Sequence, residues 1–220
     1  MTGQERAPLA SRLRRMYGEK GLAGFWYAAL GRAGYRRLLL LERRLDEALP
    51  LPAADDATWV RPLRREDEDG FVALGQEGAA TFRGRLEQGH QGWGAWRAGE
   101  LLHAQWLATG EAWIEHLGCR VRLGDGVAYV YRAFTAPPWR GAGLTSAVHA
   151  RALAEMRERG STLALCGVAP GNRPALSPWL RLGYRRVGFA STFGAGRRRR
   201  LCVRAASGSG ASLQWRLETA

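Results

Sequence analysis

Lysine is almost missing from this chain of 220 residues: Lys20 is the only one. The formal net charge of +13 is therefore carried by arginine. Two sources fit that excess. One is a phosphate-rich or otherwise anionic partner, which the planar guanidinium fork suits. The other is a compositional preference for arginine over lysine on solvated faces. Cysteine is scarce as well. Cys119, Cys166 and Cys202 are odd in number and form no C-x-x-C pair. That excludes a disulfide framework and a cysteine zinc site, and it makes a reducing cytoplasm the default location. His90, His103, His116 and His149 lack metal-ligand spacing, so no metal is expected. No G-K-[ST] stretch exists, which excludes a Walker phosphate loop. The longest apolar stretch, residues 21–41, is broken by Arg32, Arg36 and Arg37 and falls short of the roughly 20 apolar residues a membrane span needs.

What is present points to a mixed α/β protein. Hydrophobic residues make up 46% of the chain, and Trp, Val and Tyr recur in short alternating runs. The chain divides at a Pro/Ala/Asp linker into a basic helical extension with that linker, residues 1–57, and a main domain, residues 58–220. A helix is expected from Ser11 to about Gly31. The run Tyr35–Leu45 is too short for periodicity to separate strand from helix. Thr58–Arg64 reads as a strand, with Pro62 placing it at an edge. Helices follow over Arg65–Gln76 and Glu77–Gln88, then a hairpin of Gln91–Arg97 and Glu100–Ala108. Two short extended pieces, Glu111–Leu117 and Cys119–Leu123, precede the buried strand Val127–Thr135. A helix from about Gly143 to Arg159 carries Leu144, Val148, Ala152 and Met156 on one face. The strand Ser161–Ala169, a short helix Pro174–Leu182 and closing strands Tyr184–Phe193, Leu201–Ala205 and Leu213–Leu217 complete the pattern. It implies a central mixed, mostly antiparallel sheet with helices on both faces.

The chemistry concentrates between the strand ending at Thr135 and the helix beginning near Gly143. Arg140-Gly141-Ala142-Gly143-Leu144-Thr145 turns sharply into a helix. The first N–H groups of a helix lack internal partners, and its dipole adds positive charge there. A pyrophosphate fits such a spot. Glycine at 141 and 143 lets the backbone come close, and Arg140 supplies a charged fork. A dinucleotide fingerprint would want glycine or alanine at Ser146, and a βαβ start before the strand; neither is present.

The stretch Thr135–Leu144, TAPPWRGAGL, resembles the cofactor loop of the GCN5-related N-acetyltransferases, Q/R-x-x-G-x-G/A, with Arg140, Gly143 and Thr145 at the three motif positions. Thr145 departs from the usual small residue but still offers a backbone N–H. Val168–Tyr184 resembles the second signature of that family through Asn172, Ala175, Gly183 and Tyr184. The resemblance covers roughly Thr58 to Arg204. It implies an acyl-CoA N-acyltransferase fold, with acetyl-CoA or another acyl-CoA as co-substrate and an amine of a small molecule or peptide as acceptor. It also implies direct attack without an acyl-enzyme. The strands Val127–Thr135 and Ser161–Ala169 would splay to hold the pantetheine arm, with N–H groups near Phe134 and Thr135 facing the thioester carbonyl. Ala142 and Leu144 join the phosphate cradle, and Asn172 supports the arm.

One departure matters. The tyrosine that protonates the leaving thiolate in many family members is replaced by Trp179, whose indole is a poor acid. Either the thiolate leaves unassisted, or another donor such as Tyr131 or Ser177 serves, or the transfer is lost; Glu115 and His116 are the candidate bases. Cys166 reads as core packing. The acceptor pocket is expected between Trp93, Trp96, Trp106, Trp113 and the loop before Val127. The Arg197–Arg200 run reads as a solvated loop or as a contact for an acidic acceptor, RNA or the cofactor's ribose phosphate. The basic arm Leu13–Leu41 reads as packing back on the sheet or as lying on a membrane surface, and a homodimer stays open. Two other readings compete: a catalytically silent acyl-CoA-binding module, and a transferase drawing on a carrier-protein or tRNA donor.

Overall fold

The computed structural model describes residues 34–47, 57–194, 199–206 and 215–219. The helix expected over Ser11 to Gly31 lies outside them. So does part of the Arg197–Arg200 run.

Eight strands form the main sheet in the order β10-β9-β1-β8-β7-β4-β3-β2. They are β1 (Arg36–Arg44), β2 (Trp59–Pro62), β3 (Gln91–Arg97), β4 (Glu100–Ala108), β7 (Val127–Thr135), β8 (Leu163–Val168), β9 (Arg185–Phe193) and β10 (Arg200–Ala205). Only β7 and β8 run parallel. Every other neighbouring pair is antiparallel, as the sequence pattern implies. Pro62 closes β2 at the sheet edge, where its missing N–H costs no ladder bond. A second sheet packs β5 (Glu111–Ile114), β6 (Cys119–Arg122) and β11 (Arg216–Thr219) in the order β11-β6-β5.

The helices lie on both faces. On one face, α3 (Leu144–Glu158) and α4 (Arg173–Arg181) cover a core of Leu41, Trp93, Leu107, Val130, Val148, Leu153 and Trp179. On the other, α1 (Glu68–Ala73) and α2 (Ala79–Glu87) cover Phe71, Phe82, Leu101 and Trp106. The small sheet extends that second face with Ile114, Val121, Tyr129 and Trp215.

The ambiguous apolar run is resolved by its place in the sheet. Residues 36–44 form a strand with neighbours on both sides, β8 and β9. Such a strand is buried on both faces, so Leu38–Leu41 are all buried and the sequence shows no alternation. Leu38 and Leu40 enter the core under the small sheet, and Leu41 enters the core under α3. Gly167 of β8 leaves room for Leu38: a Cβ there would stand 2.3 Å from the Leu38 Cδ2.

Candidate functional site

The β7–β8 ladder stops early. Their pairing runs from Val127↔Leu163 to Val130↔Cys166 and no further, although β7 continues to Thr135 and β8 to Val168. A bulge in β7 accompanies the parting. Tyr131 pairs with Trp106 and Phe134 with Ala104, so β7 uses one more residue than β4 between them, and Arg132 takes a left-handed φ of 51°. Beyond the bulge β7 stays on β4, and the Ala136 N–H donates to the Leu102 carbonyl at 2.9 Å. By the alternation of an antiparallel ladder, the N–H and C=O of Thr135 then point away from β4 into the gap, and Phe134 points at β4.

The turn after β7 is built by Pro137-Pro138-Trp139, a single 3-10 turn. Gly141 (φ 87°) and Gly143 (φ 76°) both adopt left-handed backbone, and Gly143 is the N-cap of α3. No side chain caps this helix. Among the described residues, no backbone carbonyl accepts from the N–H groups of Gly141, Gly143, Leu144, Thr145 or Ser146; Ala142 keeps one long bond to Trp139 at 3.4 Å. A Cβ at either glycine would meet nothing within 4 Å. The amides at the head of α3 therefore face open space, as a diphosphate requires. Arg140 is exposed beside them, with Nε 3.4 Å from the Thr135 carbonyl and its guanidinium 5.8 Å from the Phe134 ring centre.

A cavity of about 880 Å³ opens along the splay. Val130, Cys166, Gly167, Val168 and Asn172 line its strand side, and Gln76, Thr81, Arg85 and Gln88 line it from the α1–α2 side. Thr145 reaches it from α3, and Tyr131, Arg132, Glu115 and His116 meet in the same space. Asn172 caps α4: its Oδ1 accepts from the Ala175 N–H at 3.2 Å. Trp179 forms a wall, 5% exposed, edge-on to His149 at 4.4 Å and to Tyr184 at 5.5 Å.

The expected tryptophan pocket is corrected. Trp113 lines the cavity, but Trp93, Trp96 and Trp106 do not. Trp93 points into the core under α3, Trp106 packs on Phe71 and Phe82, and Trp96 stacks under Arg61 at 3.9 Å. A bulge at Ala95/Trp96 and the two-residue alternation of β3 and β4 turn these rings away.

The candidate bases are engaged. Glu115 is ion-paired with Arg132, which also reaches Glu77 at 3.3 Å. Glu77 in turn holds the buried Arg85 through a two-pronged pair at 2.6 and 2.8 Å. His116 donates from Nε2 to the Arg37 carbonyl at 3.0 Å, and burial pulls its pKa below the ordinary value. The Tyr131 hydroxyl bonds to His90 Nδ1, and burial raises its pKa, so it stays a phenol at neutral pH. Burial also pushes the Cys166 thiol up, which suits packing better than attack. The Glu77–Arg85–Arg132 network and His90 had no motif to mark them in the sequence.

A second polar chain joins β4, β7 and α3. His103 Nδ1 lies 2.7 Å from Thr135 Oγ1, which lies 3.3 Å from Thr145 Oγ1. His149 of α3 faces Gln105 of β4 at 3.4 Å. Burial holds both histidines neutral, with pKa near 3 for each. Between that value and the ordinary 6.5 the unfolded chain binds more protons than the folded one. Stability is therefore full above about pH 6.5 and falls as pH drops toward 3, by at most about 1.4 kcal/mol per pH unit for each histidine. Urea midpoints taken from about pH 7 to 5 are expected to show this slope, and His149→Phe to flatten it. An unchanged slope in that variant contradicts the assignment.

The Acetyltransferase (GNAT) family model matches residues 54–184, more than half of the chain. The chain belongs to this family. Solved structures of similar fold include a GNAT-family protein from Novosphingobium aromaticivorans DSM 12444, 22% identical with a TM-score of 0.51 over 71% of this chain. Another is a GCN5-related N-acetyltransferase from Sphaerobacter thermophilus, 16% identical with a TM-score of 0.53 over 75% of this chain. A third, a GCN5-related N-acetyltransferase from Kribbella flavida, is 22% identical with a TM-score of 0.50 over 76% of this chain. The matches span 62%, 54% and 60% of those three chains. No curated protein matches the sequence. Among the described residues, no helix is long and apolar enough to cross a membrane.

Proposed function

We propose that this GNAT domain transfers an acyl group from acyl-coenzyme A to an amine by direct attack. The reading rests above all on one observation: the unpaired amides at the head of α3 open beside the parted ends of β7 and β8. In this reading Arg140, Gly141, Ala142, Gly143, Leu144 and Thr145 hold the diphosphate. The Thr135 amide in the gap meets the arm or the thioester carbonyl, where a fixed N–H donor lowers the barrier to charge on oxygen. Phe134 and Asn172 keep the two strand ends in place. The amine enters from the side of α1, α2 and Trp113, where Glu115, His116 and Tyr131 stand.

The chemistry needs two proton movements. The attacking nitrogen loses a proton and the departing sulfur gains one. Trp179 is packed against aromatic rings and has no acidic proton to give. Tyr131, a phenol at the bulge, is the donor available in the cavity. Incubation with acetyl-coenzyme A and a panel of amines is expected to release thiol in step with amide formation. Tight coenzyme A binding with no release across the panel favours a silent binding module. No binding at all overturns the reading.

A further inference from the structure

His90 has no part in the mechanism so far, yet it lines the same cavity and is 8% exposed. Its position is fixed by the end of α2. Gly89 takes a left-handed φ of 77° and stops the helix, and the His90 N–H donates to the Arg85 carbonyl at 2.9 Å. The ring then stands edge-on to Tyr131, centres 5.7 Å apart, with Nδ1 on the phenol oxygen. Taking the phenol as donor to Nδ1 makes Nδ1 the acceptor and Nε2 the N–H of the neutral ring. The Tyr131 proton consequently points at His90, and a lone pair of its oxygen is left toward the cavity. The charged and titratable groups facing this pair are Arg85 of α2, Glu111 of β5, and, around the phenol, Glu77, Arg132 and Glu115.

We propose that His90 acts through Tyr131 as the proton-holding partner of acyl transfer, so that the pair moves one proton from the attacking nitrogen to the departing sulfur. This rests on the acyltransferase reading above. As the N–C bond forms, the nitrogen turns acidic and gives a proton to the Tyr131 oxygen, while the phenol proton passes to His90 Nδ1. As the C–S bond breaks, His90 returns that proton to the phenol oxygen, and Tyr131 delivers one to sulfur. Amide and thiol result, and the pair ends as it began. Because nitrogen bonded to an acylating carbon is strongly acidic, a weak base suffices. Burial makes His90 such a base, neutral at physiological pH and weaker than an ordinary imidazole, so it gives the proton up readily.

The test compares wild type, His90→Asn, Tyr131→Phe and the double variant, using acetyl-coenzyme A and the amine that wild type acylates fastest. Asparagine keeps an acceptor near the Nδ1 position but cannot hold the proton. Each single variant is expected to lose about 100-fold in kcat, with KM for acetyl-coenzyme A within about twofold, and the double variant to be no slower than the worse single. In wild type the acid limb of the pH–kcat profile reports protonation of His90, and it is expected to disappear in His90→Asn. Histidine ¹⁵N spectra, which need no turnover, are expected to show Nδ1 of His90 as an unprotonated acceptor that shifts in Tyr131→Phe. A His90→Asn protein that folds and binds coenzyme A with kcat unchanged overturns this proposal alone. Strictly multiplicative losses in the double variant, or a protonated Nδ1, overturn it equally. Wild type that binds coenzyme A and acylates no amine overturns the acyltransferase reading with it.

Discussion

Coenzyme A affinity is expected to fall at least about 100-fold in Gly143→Asp and about tenfold or less in Gly143→Asn. The two side chains have nearly the same shape, and both tolerate the left-handed backbone that Gly143 holds at φ 76° better than other L-residues do. Space does not separate them, since a Cβ at Gly143 meets nothing within 4 Å. What differs is one full negative charge set against a diphosphate. Like charges about 4 Å apart repel by about 4 kcal/mol at the effective dielectric near a protein surface, a factor of several hundred in affinity, against about 1 kcal/mol in bulk water. Calorimetric titration checks the pair. Equal affinity in both variants would place the phosphates elsewhere. Both variants strain the left-handed backbone at Gly143 and should lose the same modest thermal stability, so a binding loss confined to the aspartate cannot be ascribed to unfolding.

The second large effect concerns a strand far from the motifs. Leu40→Ala is expected to cost about 2–5 kcal/mol, and Leu40→Asp to prevent folding. Leu40 is 0% exposed and sits between Gly167 of β8 and Gly188 of β9. Removing its side chain leaves a hole with strands on both sides that cannot collapse into it, and a carboxylate there finds no water. For the same reason residues 58–220 expressed alone should not bind coenzyme A. Without β1 the ladder edges of β8 and β9 lie open, and β8 carries one wall of the cavity. Urea unfolding measures the first effect. A truncated protein that folds cooperatively and binds coenzyme A would show that β1 is dispensable.

Much of this was legible because local rules and tertiary structure agree. Val127–Thr135 is a strand with the bounds its pattern implies, and the helix expected from about Gly143 runs from Leu144 to Glu158. Two glycines that only a left-handed turn needs mark the loop between them. The pair of signatures at Arg140–Thr145 and Asn172–Tyr184 carried the family. The 36–44 strand was not legible, because a strand buried on both faces has no period to read and nothing in its residues names its neighbours. The tryptophans misled because bulges reset which face each ring occupies, and a bulge such as those at Ala95/Trp96 and Arg132 leaves little trace in composition. His90 and Glu77 escaped notice for another reason. They are brought to Tyr131 and Arg132 by the packing of α2 against β3 and β4, over 41 and 55 residues of sequence.

The central claim is that the head of α3 and the gap between β7 and β8 together form one site for an acyl-coenzyme A. A crystal structure with coenzyme A tests it most directly. The account predicts the diphosphate within hydrogen-bonding distance of the Gly141, Gly143, Leu144 and Thr145 amides, and the pantetheine arm running between Thr135 and Val168. A diphosphate bound away from those amides, or strands that pair past Val130 and Cys166 with the ligand bound outside them, would contradict it.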